Sequence, residues 1–396
     1  MASNPGSVHP FSLLQIRRSS SIDISFRDNN GLDKTAMAST PDDSVDYPLC
    51  ATPEPGGWQA VAPGVLWIRL PLPFQLDHIN VWALDGGAAG WTLVDCGLGD
   101  RRSRAVWEAL LRDALGGRPV ERVVATHFHP DHIGAASWLV EQTGAEFATS
   151  LTEWLFARIL SAGGGDTANA VAERFYRRCG LEEEALAALL ARKDGYSRGV
   201  PGVPATLTRL RAGDRLPVGG GGWTMVGGSG HSAEPVSLYR AAEGDSPPLL
   251  ISGDQILPRI SPNISVWPTE PEADPLADYL ASLEAWSVLP ADTLVLPSHG
   301  RPFLGLHRRA SDLSRHHAER LVEIEALCTA PQTAAAVTRA LFPRPLDPQQ
   351  MLFAVGEAVA HLNHLIRKGR LERIAGRQVG GMRDADLYRL AVMEPA

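Results

Sequence analysis

The sequence predicts an α/β protein: an αββα sandwich with strands inside and helices on both outer faces, followed by a small winged-helix-like helical unit. Three observations point there. Short apolar or alternating segments bounded by Pro and Gly fill two successive stretches, 64–149 and 206–297, and helical periodicity closes each of them. Sheets flanked by helices in this way bury their faces in layers. Beyond Phe303 the strand signals give way to helix, and a length of 396 residues leaves room for a second unit, because single cores usually stop growing near roughly 250 to 300 residues.

In the first half, 64–70, 80–84 and 91–95 read as strands of one sheet. The stretch 101–115 is an amphipathic helix with Asp100 as its N-cap, and 121–126 is a short buried strand. Helix 135–143 and strand 145–149 follow. Residues 151–193 carry helical periodicity in pieces broken by Gly163-Gly164-Gly165 and Gly180, so 151–203 is expected to be a helical insertion. Strands resume at 206–210, 215–218, 223–226, 236–240 and 249–252, then a helix at 274–289 and a strand at 293–297. The last region holds helices at 306–327, 332–341 and 348–368, with 371–375 and 387–390 as a hairpin. Val337, Leu341, Val355, Leu362, Leu365 and Ile366 supply its apolar positions.

The expected domains are therefore a disordered tail over 1–48, a sandwich over 49–303 and the winged-helix-like unit over 304–396. The tail is rich in Ser, Asp, Asn and Pro and has too few large apolar residues to offset its ordering entropy. Met1-Ala2-Ser3 recurs as Met37-Ala38-Ser39, which suggests Met37 as the natural start.

An apolar fraction of 44% and a charged fraction of 21% permit a sizeable core without disulfides. The net charge of −8 argues against coating nucleic acid or anionic membranes through the overall field, although a local basic patch stays open. Cys50, Cys96, Cys179 and Cys328 show no paired spacing, which fits reduced thiols in a cytosol. The N-terminal stretch carries Arg17 and Arg18 but no apolar run that would serve as a signal-peptide core or a span, so a cytoplasmic protein without a membrane partner is expected.

The chemistry concentrates in Thr126-His127-Phe128-His129-Pro130-Asp131-His132-Ile133-Gly134, between a strand and a helix. Side chains at i and i+2 of an extended segment point the same way, so His127 and His129 can bite one ion. Pro130 biases His129 towards extended backbone. The turn into the following helix then redirects Asp131 and His132 to a second ion, and small Gly134 lets that turn lie close.

This run resembles the metallo-β-lactamase superfamily, whose signature is His-X-His-X-Asp-His at a strand end. Over roughly 60–303 the other stations of that family appear in order: Leu93-Val94-Asp95-Cys96-Gly97, Gly230-His231-Ser232, Ile251-Ser252-Gly253-Asp254 and Leu296-Pro297-Ser298-His299-Gly300. The resemblance implies an αββα metallo-β-lactamase sandwich in which His127, His129 and His231 hold one ion, Asp131, His132 and His299 hold the other, and Asp254 bridges both. It also implies Asp95 as a partner that orients ligands. Ligands of nitrogen and oxygen only suit two zinc ions, with iron or manganese as the alternatives. A water between two dications ionises near neutral pH and attacks, while Asp131 and Asp254 accept the proton and deliver it to the leaving group.

Asp254, standing where the common lactam-hydrolysing subgroup has a cysteine, argues against lactams. A small-molecule thioester, acyl-CoA-like, or a related ester is the first expectation. The C-terminal unit resembles the winged helix of β-lactamase-like hydrolases related to a single-strand endoribonuclease, where Arg367, Lys368, Arg370 and Arg373 would meet phosphates of RNA or of an acyl-CoA. RNA cleavage is thus the second expectation, and a non-catalytic winged-helix binding protein the third. Arg259, after Asp254, and His78, opening a strand beside Asp77, are candidate substrate contacts. The aromatics Trp154, Phe156, Phe175 and Tyr176 would suit either a lid over an acyl chain or the insertion's own core.

Overall fold

The computed structural model describes residues 45–163, 165–191, 195–219, 221–376, 378–379, 382–383 and 385–392. The Met37 start and the disorder expected for 1–44 lie outside the described residues. The end of the expected tail is ordered: Val45 is buried, and Asp46 pairs antiparallel with Leu304, N to O in both directions at 3.0 and 2.8 Å. Two backbone bonds and one buried side chain are enough to pin a segment that composition alone assigns to disorder.

A seven-stranded sheet follows chain order: β1 (Trp58–Ala62), β2 (Val65–Pro71), β3 (His78–Asp85), β4 (Trp91–Val94), β5 (Val120–Val124), β6 (Glu146–Thr149) and β7 (Thr208–Arg209). It is antiparallel through β4 and parallel from β4 onward. β1 escapes the sequence pattern because it is an edge strand whose residues are only half-buried or exposed, so neither face writes a clear alternation. A second sheet has the order β12-β11-β10-β9-β8, from β8 (Arg215–Val218), β9 (Gly221–Gly227), β10 (Val236–Arg240), β11 (Leu249–Gly253) and β12 (Leu294–Pro297). Only its β11–β12 pair is parallel.

The sheets close on one another through Trp67, Trp82, Val94, Val124, Trp223, Leu238 and Ile251. Outside the first sheet lie α1 (Arg101–Arg112), α2 (Pro130–Ile133), α3 (Ala136–Thr143) and α4 (Leu151–Ser161), with Trp107, Leu110 and Leu139 in that layer of core. Asp100 caps α1 as expected, its Oδ1 accepting from Ser103 N at 2.7 Å. Leu276, Tyr279 and Leu283 of α8 (Pro275–Ala285) and Leu306 and Leu313 of α9 (Leu306–Leu327) cover the second sheet. The architecture is the expected αββα sandwich.

The insertion supplies α4, α5 (Gly165–Arg178), α6 (Glu183–Leu190) and α7 (Gly195–Gly199). Phe175, Tyr176 and Cys179 after it, with Leu186 and Leu189, share one core with Val337, Val355, Val359, Leu362 and Leu365 of α10 (Ala334–Leu341) and α11 (Pro348–Arg367). These two aromatics are therefore spent on the C-terminal helices and form no lid. β13 (Leu371–Ile374) pairs antiparallel with β16 (Leu387–Leu390), around the short β14 (Gln378–Val379) and β15 (Met382–Arg383). Among the described residues no helix is long and apolar enough to cross a membrane.

Candidate metal centre

The strands deliver their chemistry at their C-terminal ends. β4 leads into Asp95, β5 into the run from Thr126 to His132, β11 into Asp254 and β12 into His299, while His231 sits on the loop before β10. Asp95 is held at φ 64°, a left-handed conformation that is costly for any side chain beyond Asn or Asp. Gly134 has no room for a side chain: a Cβ there would stand 2.3 Å from Pro130 O, 2.4 Å from Gly199 O and 2.6 Å from Gly99 N. Gly230, at φ 101°, is pressed on Tyr279 in the same way.

These elements bring together all seven side chains that the sequence singles out as ligands. His127 Nε2 lies 2.9 Å from His129 Nδ1. His231 Nε2 and His132 Nε2 lie 3.5 and 3.6 Å from Asp254 Oδ2, and His299 Nε2 lies 3.5 Å from Asp254 Oδ1. Asp131 Oδ2 stands 3.4 Å from His299 Nε2 and 3.7 Å from His132 Nε2. Three sets of donor atoms converge within 4.8 Å: His127, His129 and His231; His127, His132 and Asp254; and Asp131, His132 and His299.

The donors fit a metal. His129 Nε2, His132 Nε2, His231 Nε2 and Asp254 Oδ1 are buried and find no hydrogen-bond partner among the described residues, which is costly unless something else satisfies them. The opposite nitrogens are occupied. His132 Nδ1 faces Asp95 Oδ2 at 2.9 Å, His127 Nδ1 faces Thr126 Oγ1 at 3.0 Å, His231 Nδ1 faces Asn263 O at 2.9 Å and His299 Nδ1 faces His78 O at 2.8 Å. An imidazole that donates from Nδ1 can turn a lone pair inward once its Nε2 is free of a proton, and all four rings are placed to do so.

Burial, then the imidazoles of His132, His129 and His231, hold His127 well below the ordinary histidine range. Burial and His231 likewise bring His129 to about 3. On the other side burial opposes charge, but Asp254, Asp131 and Asp95 outweigh it and raise His132. Asp254 and Asp131 raise His299 to about 10 against the same penalty. Burial would push Asp131 up, yet His132 and His299 bring it to about 2. The two aspartates thus make a focus where positive charge is favoured.

Several residues around the centre carry no sequence signal for their role. Thr126 N and Oγ1 both donate to Asp95, at 2.7 and 2.9 Å. Glu153, fully buried, accepts from Phe128 N, Ser232 Oγ and Glu234 N, and so ties the His127–His129 segment to the His231 loop. The spacing Ser150-x-x-Glu153 reads only as a helix start, which it also is, with Ser150 Oγ accepting from Glu153 N.

The two candidate substrate contacts fare differently. His78 Nε2 accepts from Gly300 N at 3.0 Å and Nδ1 faces Asp77 Oδ1 at 2.6 Å, so its ring clamps the His299–Gly300 loop and leaves neither nitrogen for a substrate. Arg259 lies exposed on the loop that leaves Asp254. Of the insertion's other aromatics, Phe156 stacks on Phe128 at 5.4 Å and Trp154 Nε1 donates to Pro204 O.

Comparison with known proteins agrees with this geometry. Residues 75–299 match the family model of the metallo-beta-lactamase superfamily, and residues 321–382 match the metallo-beta-lactamase-like C-terminal domain. A beta-lactamase domain protein from Burkholderia ambifaria is 42% identical with a TM-score of 0.80, covering 88% of this chain and 99% of that one. A metallo-beta-lactamase family protein from Thermus thermophilus is 29% identical with a TM-score of 0.67, covering 84% and 100%. A probable metallo-hydrolase of Bacillus subtilis (strain 168), YqjP, is 25% identical over 76% of this chain and 92% of its own length. With over half its residues matched to one superfamily, and with that family's stations gathered at one point, the chain belongs to the metallo-beta-lactamase superfamily and is a hydrolase of that fold.

Proposed function

We propose that the chain is a dizinc hydrolase that cleaves a small-molecule thioester of the acyl-CoA kind. The observation that carries this reading is the convergence of five imidazoles and two carboxylates on a buried point where four of their polar atoms find no partner among the described residues. In this reading His127, His129 and His231 hold one ion, Asp131, His132 and His299 the other, and Asp254 lies between them. Nitrogen and oxygen donors without sulfur suit zinc. When bound, such ions supply a water ionised near neutral pH and a Lewis acid for the attacked carbonyl.

Asp131 is the more open carboxylate, with 20% of its side chain exposed against 11% for Asp254, and it takes the proton of the nucleophile. A departing amine would need that one proton handed back to it in the same turnover, whereas a departing thiolate needs none. A thiolate leaves without a proton, because its thiol ionises near pH ~8.5. That argument supports a thioester over an amide.

RNA is less well supported. Arg370 pairs with Glu325 at 2.8 Å and Arg373 with Glu272 at 2.8 Å, while Arg367 donates to Glu272 O at 2.7 Å. Phosphates of RNA or of an acyl-CoA would have to displace these partners alike; the RNA reading rests on this face, whereas the thioester reading rests on the centre. The test is the zinc content of the purified protein, followed by turnover of acyl-CoA thioesters and of a single-stranded RNA, with Asp131→Ala as control. About two zinc ions and thioester turnover lost in the variant are expected; RNA cleavage alone, or a chain that binds no zinc, would overturn the reading.

A further inference from the structure

The loop between β11 and α8 belongs to the sandwich, yet the C-terminal helices hold it. Arg309 of α9, 1% exposed, donates to Leu257 O at 2.6 Å and to Ile260 O at 2.9 Å. Val266 N donates to Gly356 O of α11 at 3.1 Å. Gly356 is required there, since a Cβ would stand 2.8 Å from Ser265 Oγ and 3.1 Å from Val266 O. Between these two clamps, Asn263 Nδ2 donates to Glu357 Oε2 at 3.1 Å and to Phe353 O at 3.4 Å, and Asn263 Oδ1 accepts from Ser265 Oγ at 2.6 Å. The carbonyl oxygen of the same Asn263 accepts from His231 Nδ1 at 2.9 Å.

We propose that Glu357 is a positioning residue for the metal centre: from α11 it fixes Asn263, whose carbonyl sets the tautomer and direction of His231. The C-terminal helices are then part of the site's supporting layer, and their relation to the sandwich is mechanical as well as topological. The reason is geometric. His231 sits on a loop with no strand or helix of its own, and a ring on such a loop keeps its aim only if the partner of its second nitrogen is itself held. The proposal rests on the reading of His231 as a ligand.

The test is calorimetric titration of the metal-free full-length protein with Zn²⁺. Glu357→Ala and Asn263→Ala are each expected to weaken one of the two binding events about tenfold and to leave the other unchanged. Glu357→Gln, which keeps an oxygen acceptor for Asn263 Nδ2, is expected to bind as the unaltered chain does. The double variant is expected to lose no more than either single one, because both break the same link. If Glu357→Ala fails to fold, Asn263→Ala and Glu357→Gln carry the test. Unchanged Zn²⁺ affinity in Asn263→Ala, strictly additive losses, or a Glu357→Gln as weak as Asn263→Ala would overturn the proposal. An unaltered chain that takes up no Zn²⁺ would instead sink the metal reading on which it rests.

Discussion

Asp95 Oδ2 lies 2.9 Å from His132 Nδ1, and both side chains are fully buried. The carboxylate also takes both donors of Thr126, whose hydroxyl in turn faces His127 Nδ1. One residue thus orients a ring on each side of the centre. Asp95→Asn keeps a residue type that tolerates the left-handed backbone at φ 64°, so it isolates the carboxylate. Zn²⁺ affinity is expected to fall about 10- to 100-fold, read by competition with a chelator, and the metal-free protein is expected to lose about 1–3 kcal/mol of stability as well, because the amide turns an N–H towards the buried donors of Thr126 and His132. Affinity within twofold of the unaltered chain would remove Asp95 from the centre.

Gly134→Ala tests the close approach behind Asp131 and His132. The nearest atoms to the added methyl are backbone atoms of Pro130, Gly199 and Gly99, and backbone cannot swing aside as a flexible side chain can. A loss of about 3 kcal/mol is expected in denaturant unfolding, together with reduced metal content. A variant as stable and as metal-loaded as the parent would mean that the turn yields easily.

Arg178→Ala tests the link between the insertion and the C-terminal hairpin. Asp386, 1% exposed, bonds Arg178 Nε at 3.0 Å, and Arg178 also reaches Glu272 at 3.2 Å. Removing the guanidinium leaves Asp386 with Gly376 N at 2.9 Å and Arg373 at 3.8 Å, so the expected cost is about 1–3 kcal/mol. Urea unfolding measures it, and an unchanged midpoint would contradict the role assigned to the pair.

His361 makes stability sensitive to acid. Burial, reinforced by His316, Arg320 and His364, brings it to about 4 even though Glu357 O accepts from its Nδ1, and its Nε2 meets His317 Nδ1 at 3.1 Å. A base whose folded value lies below its unfolded one binds its proton less readily when folded, so the stability it contributes is complete above pH ~6.5 and declines as pH falls towards 4. The decline is worth about 3 kcal/mol. In His361→Gln the drop in melting temperature between pH 7 and pH 4.5 is expected to be smaller than in the parent; parallel curves would show that His361 carries none of it.

Much of this protein follows from local patterns. The alternating segments of β2, β3 and β10, the cap at Asp100 and the long period of α9 and α11 are written in neighbouring residues, because each depends on hydrogen bonds and side-chain direction within a few positions. The seven ligand candidates are legible for a related reason: their types and short spacings are dictated by what a metal accepts. The edge strand β1 is not legible, since its stability comes from a neighbour.

By itself, then, the sequence determined the layered α/β architecture and the chemical identity of the centre's donors. Only the tertiary structure decided that Glu153, Thr126 and Asn263 support those donors, that His78 clamps a loop, and that α5 and α6 share a core with α10 and α11. The physical reason is sequence distance. Glu153 reaches Ser232, His78 reaches Gly300 and Phe175 shares its core with Val359 across long stretches of chain, and no local periodicity records a contact that exists only when both ends are folded.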